Sequence, residues 1–314
     1  MSILVRRSNL IVPITNSHFL QGAWRHNADA VTLDLEDSVV DYRKEEARTN
    51  VKDAIRVAAR GASEVFVRVN KSYAQADIEA SVWPGLAGIV LSRVESPEEV
   101  QEASEIIGKM EGSRGLEKGS VQMVLLLESA RALWKIREII QADPRVTQVA
   151  LDESDLAGSL GITPLPDQDP FVYARGRLVV EAIAAGVQPV GVTHPMGTQP
   201  RFPSSGEMLQ IATDSKNLGF RGILCPHPSW VEPVNTALTP TQSQVDYYTQ
   251  VRDIFAQAIA AGTAAVPFHG RMIDVPVDEW AKDVLTMAAA CKTRDDQKRE
   301  ALLLAGEADP RPDS

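Results

Sequence analysis

The chain has 314 residues and a formal net charge of −10, and 44% of its residues are hydrophobic. That length is enough for one large domain or two modest ones, and the hydrophobic content excludes a globally disordered chain. The acidic balance argues against nucleic acid as the main partner, because phosphate binding needs clustered Lys and Arg side chains. The two cysteines predict no disulfide framework.

The N-terminal residues contain no apolar segment long enough to act as a secretion signal. Elsewhere, no apolar run approaches the roughly 20 residues that a membrane-spanning helix needs. The sequence therefore predicts a cytoplasmic protein that has no membrane partner.

Short apolar runs recur along roughly the first 230 residues, in the rhythm that buried strands produce. The runs that predict strands are residues 10–14, 30–37, 64–70, 88–94, 121–129, 146–155, 187–193 and 222–226. Eight strands alternating with helices over this length predict a (β/α)8 barrel. A doubly wound open sheet is the alternative, which the absence of a glycine-rich phosphate turn after the first strand disfavours.

The segments between these runs carry apolar residues at helical spacing. Examples are residues 43–59, 130–142 and 172–185. Two of the helices begin with a capping signature, in which a serine is followed three residues later by a glutamate. These signatures are Ser96 with Glu99 and Ser204 with Glu207.

Beyond Pro228 the sequence predicts helices and no further strand. The expected elements are a long helix over residues 239–262, a loop over 266–274, a last helix over 275–292 and a tail over 309–314. We therefore divide the chain into a catalytic barrel domain of residues 1–238 and a C-terminal helical extension of residues 239–314. The extension is expected to pack on a neighbouring subunit.

Two carboxylates follow neighbouring strands of the predicted barrel. Glu128 comes near the end of one apolar run and Asp155 ends the next, with one amphipathic segment between the runs. A right-handed crossover makes the two strands parallel, so both side chains lie at the C-terminal end, where barrel enzymes build their sites. Two converging carboxylates need a partner, and a hard divalent cation is the simplest one. For either acid alone, a salt bridge at the barrel rim is the alternative.

Further polar side chains follow other predicted strands at the same end of the barrel. They are Glu36, Asp37, Arg68, Asn70, Arg93, Thr193, His194 and His227. Acids and arginines at one mouth predict a metal site beside an anion site. For Glu36 and Asp37 two roles remain open, the orientation of metal-bound water or the capping of a helix.

Several short motifs occur in order along the chain. They include Arg6-Arg7-Ser8, residues 28–39, Val67-Arg68-Val69-Asn70, Glu128-Ser129, Asp155-Leu156-Ala157, His227-Pro228 and residues 270–274. Together, over about residues 6–290, they resemble the citrate lyase β-subunit-like branch of the HpcH/HpaI aldolase superfamily, of the malyl-CoA and citramalyl-CoA lyase type.

This resemblance implies a (β/α)8 barrel that binds Mg²⁺, or Mn²⁺ in its place, through Glu128 and Asp155. Glu36, Asp37 and Arg93 are expected to complete the cofactor site. The implied reaction is the cleavage or formation of a carbon–carbon bond in a short 3-hydroxyacyl-CoA such as malyl-, citramalyl- or citryl-thioester. Its products in the cleavage direction are a 2-oxo acid and an acyl thioester, so the expected partners are a 2-oxo acid and an acyl-CoA.

The resemblance also implies two catalytic residues. Arg68 matches the family's arginine, which would stabilise an enolate oxygen or grip a carboxylate. Asp274 matches a general acid/base that a neighbouring subunit supplies in a homotrimer or homohexamer.

The chain departs from the family pattern near both ends of the expected substrate. Ile14 and Gly22 stand where the family usually has a glycine and a lysine, and Asp152 stands in place of a glycine. Arg93 replaces a lysine and keeps its charge. These departures leave three alternatives open: a hydroxyacyl-CoA thioester hydrolase, a non-CoA 2-oxo acid aldolase, and a citrate lyase β subunit that acts on an acyl-carrier protein.

Overall fold

The computed structural model describes residues 4–165, 168–192 and 203–307. These residues form two compact units, one of Arg6–Leu238 with residues 300–307 and the other of residues 4–5 with Thr239–Arg299. Thr193, His194 and the predicted tail lie outside the described residues. Within the described residues, no helix combines the length and the apolarity needed to cross a membrane.

Eight parallel strands form the centre of the first unit. They are β1 (Ser8–Pro13), β2 (Ala30–Asp34), β3 (Glu64–Val69), β4 (Leu86–Leu91), β5 (Gln122–Leu127), β6 (Val146–Leu151), β7 (Gln188–Val190) and β8 (Ile223–Cys225). Their order in the sheet is β7-β6-β5-β4-β3-β2-β1-β8. A parallel bridge between Val190 and Gly222 joins the two edges. The predicted (β/α)8 barrel is confirmed.

Helices follow the strands around the barrel. They are α1 (Ser17–Gly22), α2 (Lys44–Ala58), α3 (Ala74–Ser81), α4 (Pro97–Ser113), α5 (Ala130–Trp134), α6 (Ile136–Ile140), α7 (Glu153–Leu160), α8 (Val172–Ala184), α9 (Ser205–Leu218) and α10 (Val231–Leu238). The helix predicted over 130–142 is interrupted at Lys135, whose backbone (φ −100°, ψ 15°) leaves the α conformation between α5 and α6.

The strands are buried on both faces, which explains their near-continuous apolar sequences. One face of each strand packs against the surrounding helices in a large cluster. The other face fills the barrel interior with a smaller cluster, made by Ala30, Phe66, Val90, Val124, Leu126, Ala150 and Val190. Because the interior is packed with side chains, it is a core rather than a pore, and the residues that can meet a ligand lie at the strand ends.

The capping signatures act as expected at the helix starts. The Ser96 hydroxyl accepts a hydrogen bond from the N–H of Glu99 and opens α4. At α9, Ser204 and Glu207 form a complete, reciprocal capping box. Each cap satisfies backbone N–H groups that a helix start leaves without partners.

The second unit contains α11 (Gln242–Ala260), β9 (Val266–Phe268), β10 (Arg271–Ile273) and the first part of α12 (Val275–Glu307). The prediction of no strand after Pro228 was wrong, because β9 and β10 form an antiparallel hairpin. His269 and Gly270 have φ values of 46° and 74°, the left-handed conformation that a two-residue hairpin turn requires. Three-residue strands are too short to show an alternating pattern, so the sequence predicts a loop for this segment.

Helix α12 extends well past residue 292, where the sequence predicted its end. The added turns are charged rather than apolar. Lys292 and Asp296 form an ion pair one helical turn apart, at 2.6 Å, and Arg299 binds the same aspartate at 3.0 Å. Pairs at this spacing stabilise a polar helix, which an apolar pattern does not reveal.

Candidate active site at the carboxyl ends of the strands

The predicted site residues of the barrel come together at the C-terminal ends of its strands. Four of them form what we call the acid cluster, defined as Glu36, Asp37, Glu128 and Asp155. Two arginines, Arg68 from β3 and Arg93 from the loop after β4, reach into it. Glu128 directly follows β5, as expected. Asp155 lies in the first turn of α7 rather than at the end of β6, which stops at Leu151.

Arg93 joins the members of the acid cluster. Its Nε lies 3.4 Å from Oε2 of Glu128, and its Nη2 lies 3.2 Å from Oδ2 of Asp155. The same two nitrogens lie 3.6 Å from Glu36 and 3.5 Å from Asp37. The sequence predicts that Arg93 belongs to the cofactor site, but it does not show that this one guanidinium contacts all four acids.

Arg68 is held by a two-point contact with Asp34, its neighbour across the β2–β3 ladder. Nε donates to Oδ1 and Nη2 donates to Oδ2, each at 2.7 Å. The remaining Nη1 lies 3.3 Å from Glu36 and 3.4 Å from Asp37. Burial alone would raise the pKa of Asp34, but the hydrogen bonds and charge of Arg68 hold it below its ordinary value. The pair stays ionised, so Arg68 directs a fixed positive charge at the acid cluster.

A buried lysine fixes the loop that carries Glu36. Lys44 is only 8% exposed, and its Nζ donates to the carbonyl oxygens of Leu35 and Glu36, each at 3.1 Å, and to Oδ1 of Asn70 at 2.5 Å. Asn70 in turn donates from Nδ2 to Asp77 at 2.6 Å. Asn70, predicted only as a polar strand-end residue, therefore supports the loop rather than facing the acid cluster.

Asp34 was not predicted as a site residue, although it organises the site. The sequence assigned it to the middle of a strand over residues 30–37, whereas β2 ends at Asp34 itself. Its oxygens also accept the N–H groups of Glu36 and Ser38, at 2.9 and 3.1 Å, which turns the chain after the strand. The available signal was the presence of a carboxylate in a fully buried strand, because such a group requires a charged or hydrogen-bonding partner.

Two carboxyl groups of the cluster, those of Glu128 and Glu36, hold protons more strongly than usual. Burial and a hydrogen bond shared with Asp155 raise the pKa of Glu128 to about 8. The negative charges of Asp152 and Glu36 add to this rise. Burial raises the pKa of Glu36 as well, and the charge of Arg68 only partly offsets it. The site therefore favours additional positive charge.

The donor atoms of the acid cluster suit a hard divalent cation. All of them are carboxylate oxygens, which Mg²⁺ and Mn²⁺ accept and softer metals do not prefer. One buried oxygen, Oε2 of Glu36, accepts no hydrogen bond from the described residues, although Nη1 of Arg68 lies 3.3 Å from it. In the described part of the chain, no group of three or more His, Cys, Asp or Glu side chains is arranged to enclose a metal ion. Because Mg²⁺ is usually held by one or two carboxylates with water and substrate oxygens, the pair Glu128–Asp155 fits it.

Two other predicted residues have structural contacts of their own. Nδ1 of His227 accepts the N–H of Ser229 at 3.2 Å and caps the turn that follows β8. Asp274 belongs to the second unit, where its Oδ1 accepts the N–H of Val277 at 3.3 Å in the first turn of α12. The catalytic role of Asp274 and the packing of the extension on a neighbouring subunit remain predictions.

Known proteins resemble this chain over nearly its whole length. Citrate lyase subunit beta of Escherichia coli (strain K12) is 29% identical over 294 residues, which cover 93% of this chain and 96% of that protein. Mitochondrial citramalyl-CoA lyase of Rattus norvegicus is 27% identical over 304 residues, which cover 92% of this chain and 88% of that protein.

Solved structures share the fold. Protein CitE of Mycobacterium tuberculosis, in complex with magnesium, acetoacetate and coenzyme A, aligns with a TM-score of 0.66 and 22% identity, and the alignment covers 90% of this chain and 97% of that one. A citrate lyase of Burkholderia xenovorans LB400 aligns with a TM-score of 0.76 and 16% identity, over 95% and 97% of the two chains.

The sequence profile of one family matches the greater part of the chain. It is the profile of HpcH/HpaI aldolase/citrate lyase, and the match extends over residues 7–228, which include every strand of the barrel. The relatives above are carbon–carbon lyases by name. This chain therefore belongs to the HpcH/HpaI aldolase/citrate lyase family and is a carbon–carbon lyase.

Proposed function

We propose that this chain is a Mg²⁺-dependent lyase that cleaves or forms a short 3-hydroxyacyl-CoA thioester. The other side of the reaction would be a 2-oxo acid and an acyl-CoA. The names of the citramalyl-CoA lyase and citrate lyase relatives support this substrate class. The neighbouring CitE structure was solved with magnesium, acetoacetate and coenzyme A, which supports the choice of metal and of a coenzyme A thioester.

The observation that carries the proposal is the placement of Glu128 and Asp155 against one guanidinium, that of Arg93, with Arg68 in the same cluster. A 2-oxo acid presents a carboxylate and an adjacent oxygen, which together suit a divalent cation with open coordination positions. A thioester enolate carries negative charge on one oxygen, which suits a fixed guanidinium. The cluster thus contains a partner for each half of the substrate.

When bound, Mg²⁺ would supply a Lewis acid and a template for the oxygens of the 2-oxo acid. We assign Glu128 and Asp155 to holding it. In the cleavage direction, the hydroxyl gives its proton to Asp274 as general base, the bond between the hydroxyl-bearing carbon and the thioester α-carbon breaks, and the electron pair passes to the thioester enolate. We assign Arg68 to stabilising that charge, because its guanidinium is already fixed by Asp34 and needs no rearrangement during the reaction.

The enolate carbon must then take up a proton to give the acyl-CoA. We assign this proton transfer to Asp274 as general acid/base, supplied by a neighbouring copy of the chain. The barrel and the extension would then form one active site only in an oligomer, and we propose a homotrimer or homohexamer.

A thermal-shift titration tests the proposal with the purified chain. We would add Mg²⁺ alone and then with glyoxylate, pyruvate or oxaloacetate, each with and without acetyl-CoA or propionyl-CoA. A ligand at about 100 times its dissociation constant adds roughly 2.7 kcal/mol to the folded state. We expect one oxo acid to stabilise the chain only when Mg²⁺ is present, with a further rise from one acyl-CoA.

The matched control is Glu128→Gln, which keeps the shape of the side chain and cannot form the carboxylate that binds the metal. It should lose both the Mg²⁺ response and the oxo acid response. Oxo acid binding that is equally strong in EDTA would contradict the metal assignment, and stabilisation by oxo acids without any by acyl-CoA would contradict the thioester substrate.

A further inference from the structure

Arg93 lies among the acids of the cluster rather than at their outer edge. Its guanidinium is 3.2 Å from Asp155, 3.4 Å from Glu128, 3.5 Å from Asp37 and 3.6 Å from Glu36. It therefore contacts both carboxylates that we assign to the divalent cation. Arg68 differs in this respect, because its tightest contacts are with Asp34, behind the cluster.

The backbone of Arg93 is fixed on both sides. Its N–H donates to Oε1 of Glu128 at 3.0 Å, and its carbonyl oxygen accepts Nζ of Lys71 at 2.9 Å. Its φ of +53° is uncommon for a residue other than glycine, so these contacts hold a conformation that the chain does not otherwise favour.

The side chain of Arg93 is held far less tightly than its backbone. It is 50% exposed, and none of its contacts to the acid cluster is shorter than 3.2 Å. By comparison, the guanidinium of Arg68 is nearly buried and is held rigidly by two contacts of 2.7 Å with Asp34. The Arg93 guanidinium can therefore move while its backbone stays in place.

A divalent cation and this guanidinium compete for the same oxygens. Mg²⁺ binds carboxylate oxygens at about 2.1 Å, and its two positive charges repel a guanidinium that contacts the same oxygens. On the basis of the metal site in the proposed function, we propose that Arg93 is a tethered counter-cation, which balances the charge of the acid cluster without metal and is displaced from Glu128 and Asp155 when the divalent cation binds. Its contacts with Glu36 and Asp37 keep the displaced guanidinium beside the site.

The first test measures Mg²⁺ binding alone by isothermal titration calorimetry, in the wild-type chain and in Arg93→Gln. Removing a competing charge at this distance should tighten Mg²⁺ binding by roughly tenfold. The matched control is Arg56→Gln, which removes the same charge from an exposed arginine paired with Asp53 on α2. It should leave Mg²⁺ affinity unchanged.

The second test observes the displacement itself by NMR of the arginine Nε–Hε groups, with the Arg93 signal identified by its absence in Arg93→Gln. Saturating Mg²⁺ should shift the Arg93 signal and leave that of Arg68 nearly in place.

The outcomes distinguish the counter-cation role of Arg93 from the existence of the metal site. If the wild type binds Mg²⁺ and Arg93→Gln binds it equally or more weakly, or if the Arg93 signal does not respond, the counter-cation is refuted and the metal site stands. If neither protein binds Mg²⁺, the metal site of the proposed function is wrong and the counter-cation falls with it.

Discussion

Magnesium binding to the acid cluster should expel a proton at neutral pH. Burial and the hydrogen bond shared with Asp155 raise the pKa of Glu128 to about 8, so most molecules carry this proton at about pH 7. A carboxylate must lose its proton to bind a metal, so proton and cation compete. We expect proton release on Mg²⁺ binding that approaches one proton per ion below about pH 8, and a Mg²⁺ affinity that rises with pH up to about pH 8 and levels off above it.

The same proton sets the pH dependence of folding when no metal is present. The folded pKa of Glu128 lies above its ordinary value of 4.5. Its contribution to stability is therefore fully present below about pH 4.5 and is lost as the pH rises through about 8. Urea denaturation in EDTA should show stability falling between about pH 4.5 and pH 8 and levelling off above that, and saturating Mg²⁺ should offset the fall.

Calorimetry measures the proton release directly. Mg²⁺ is titrated at about pH 7 in buffers with different heats of ionisation, and the variation of the observed heat with the buffer gives the number of protons. Asp152→Asn should release fewer protons while still binding Mg²⁺, because the charge of Asp152 contributes to the raised pKa. A Mg²⁺ affinity that stays constant between about pH 6 and pH 9, with no proton released, would refute the reasoning.

Three further substitutions test other parts of the structure. Glu111→Gln removes a buried carboxylate. Burial alone would raise the pKa of Glu111, but its ion pair and hydrogen bonds with Arg145 lower it to about 2. The substitution should lower the free energy of unfolding, measured by urea denaturation, by about 3 kcal/mol above about pH 4.5 and by progressively less as the pH falls towards 2. An equal loss at high and at low pH would contradict the lowered pKa of Glu111. Asp34→Asn should lower kcat about 10- to 100-fold, because Arg68 loses its charged anchor, while calorimetry finds Mg²⁺ affinity little changed; an unaffected kcat would remove the anchor from the mechanism. Gly88→Ala places a Cβ 2.6 Å from a backbone oxygen of β5 and should destabilise the barrel by about 1–3 kcal/mol in thermal denaturation, whereas Gly112→Ala, which meets nothing within 4 Å, should not.

The barrel was predictable because its signals are local and repeated. Each strand is a short apolar run, and the capped starts of α4 and α9 mark where helices follow. Glu128 and Asp155 were predictable as neighbours because the direction of parallel strands fixes the edge to which both belong. The hairpin of β9 and β10 was not predicted, because three-residue strands are too short to show an alternating apolar pattern. Its turn also depends on the left-handed backbone conformation of His269, which the residue type does not indicate.

The detailed contacts of the site were not predictable from local patterns. Asp34 and Arg68 lie 34 positions apart in the sequence and meet only because β2 and β3 pair in one register. The position of Arg93 depends on its positive φ, which Lys71 and Glu128 hold from two other segments. Long-range contacts of this kind follow from the assembled barrel, whereas a sequence alone shows which residue types are present at the strand ends.

Product analysis of the purified chain tests the central claim most directly. The chain is incubated with Mg²⁺ and, in separate reactions, malyl-CoA and citramalyl-CoA, and the products are separated and identified by mass. We expect one of these substrates to yield a 2-oxo acid and an intact acyl-CoA, with no reaction in EDTA or with Glu128→Gln. A free hydroxy acid together with free coenzyme A would instead identify a thioester hydrolase and contradict the carbon–carbon lyase.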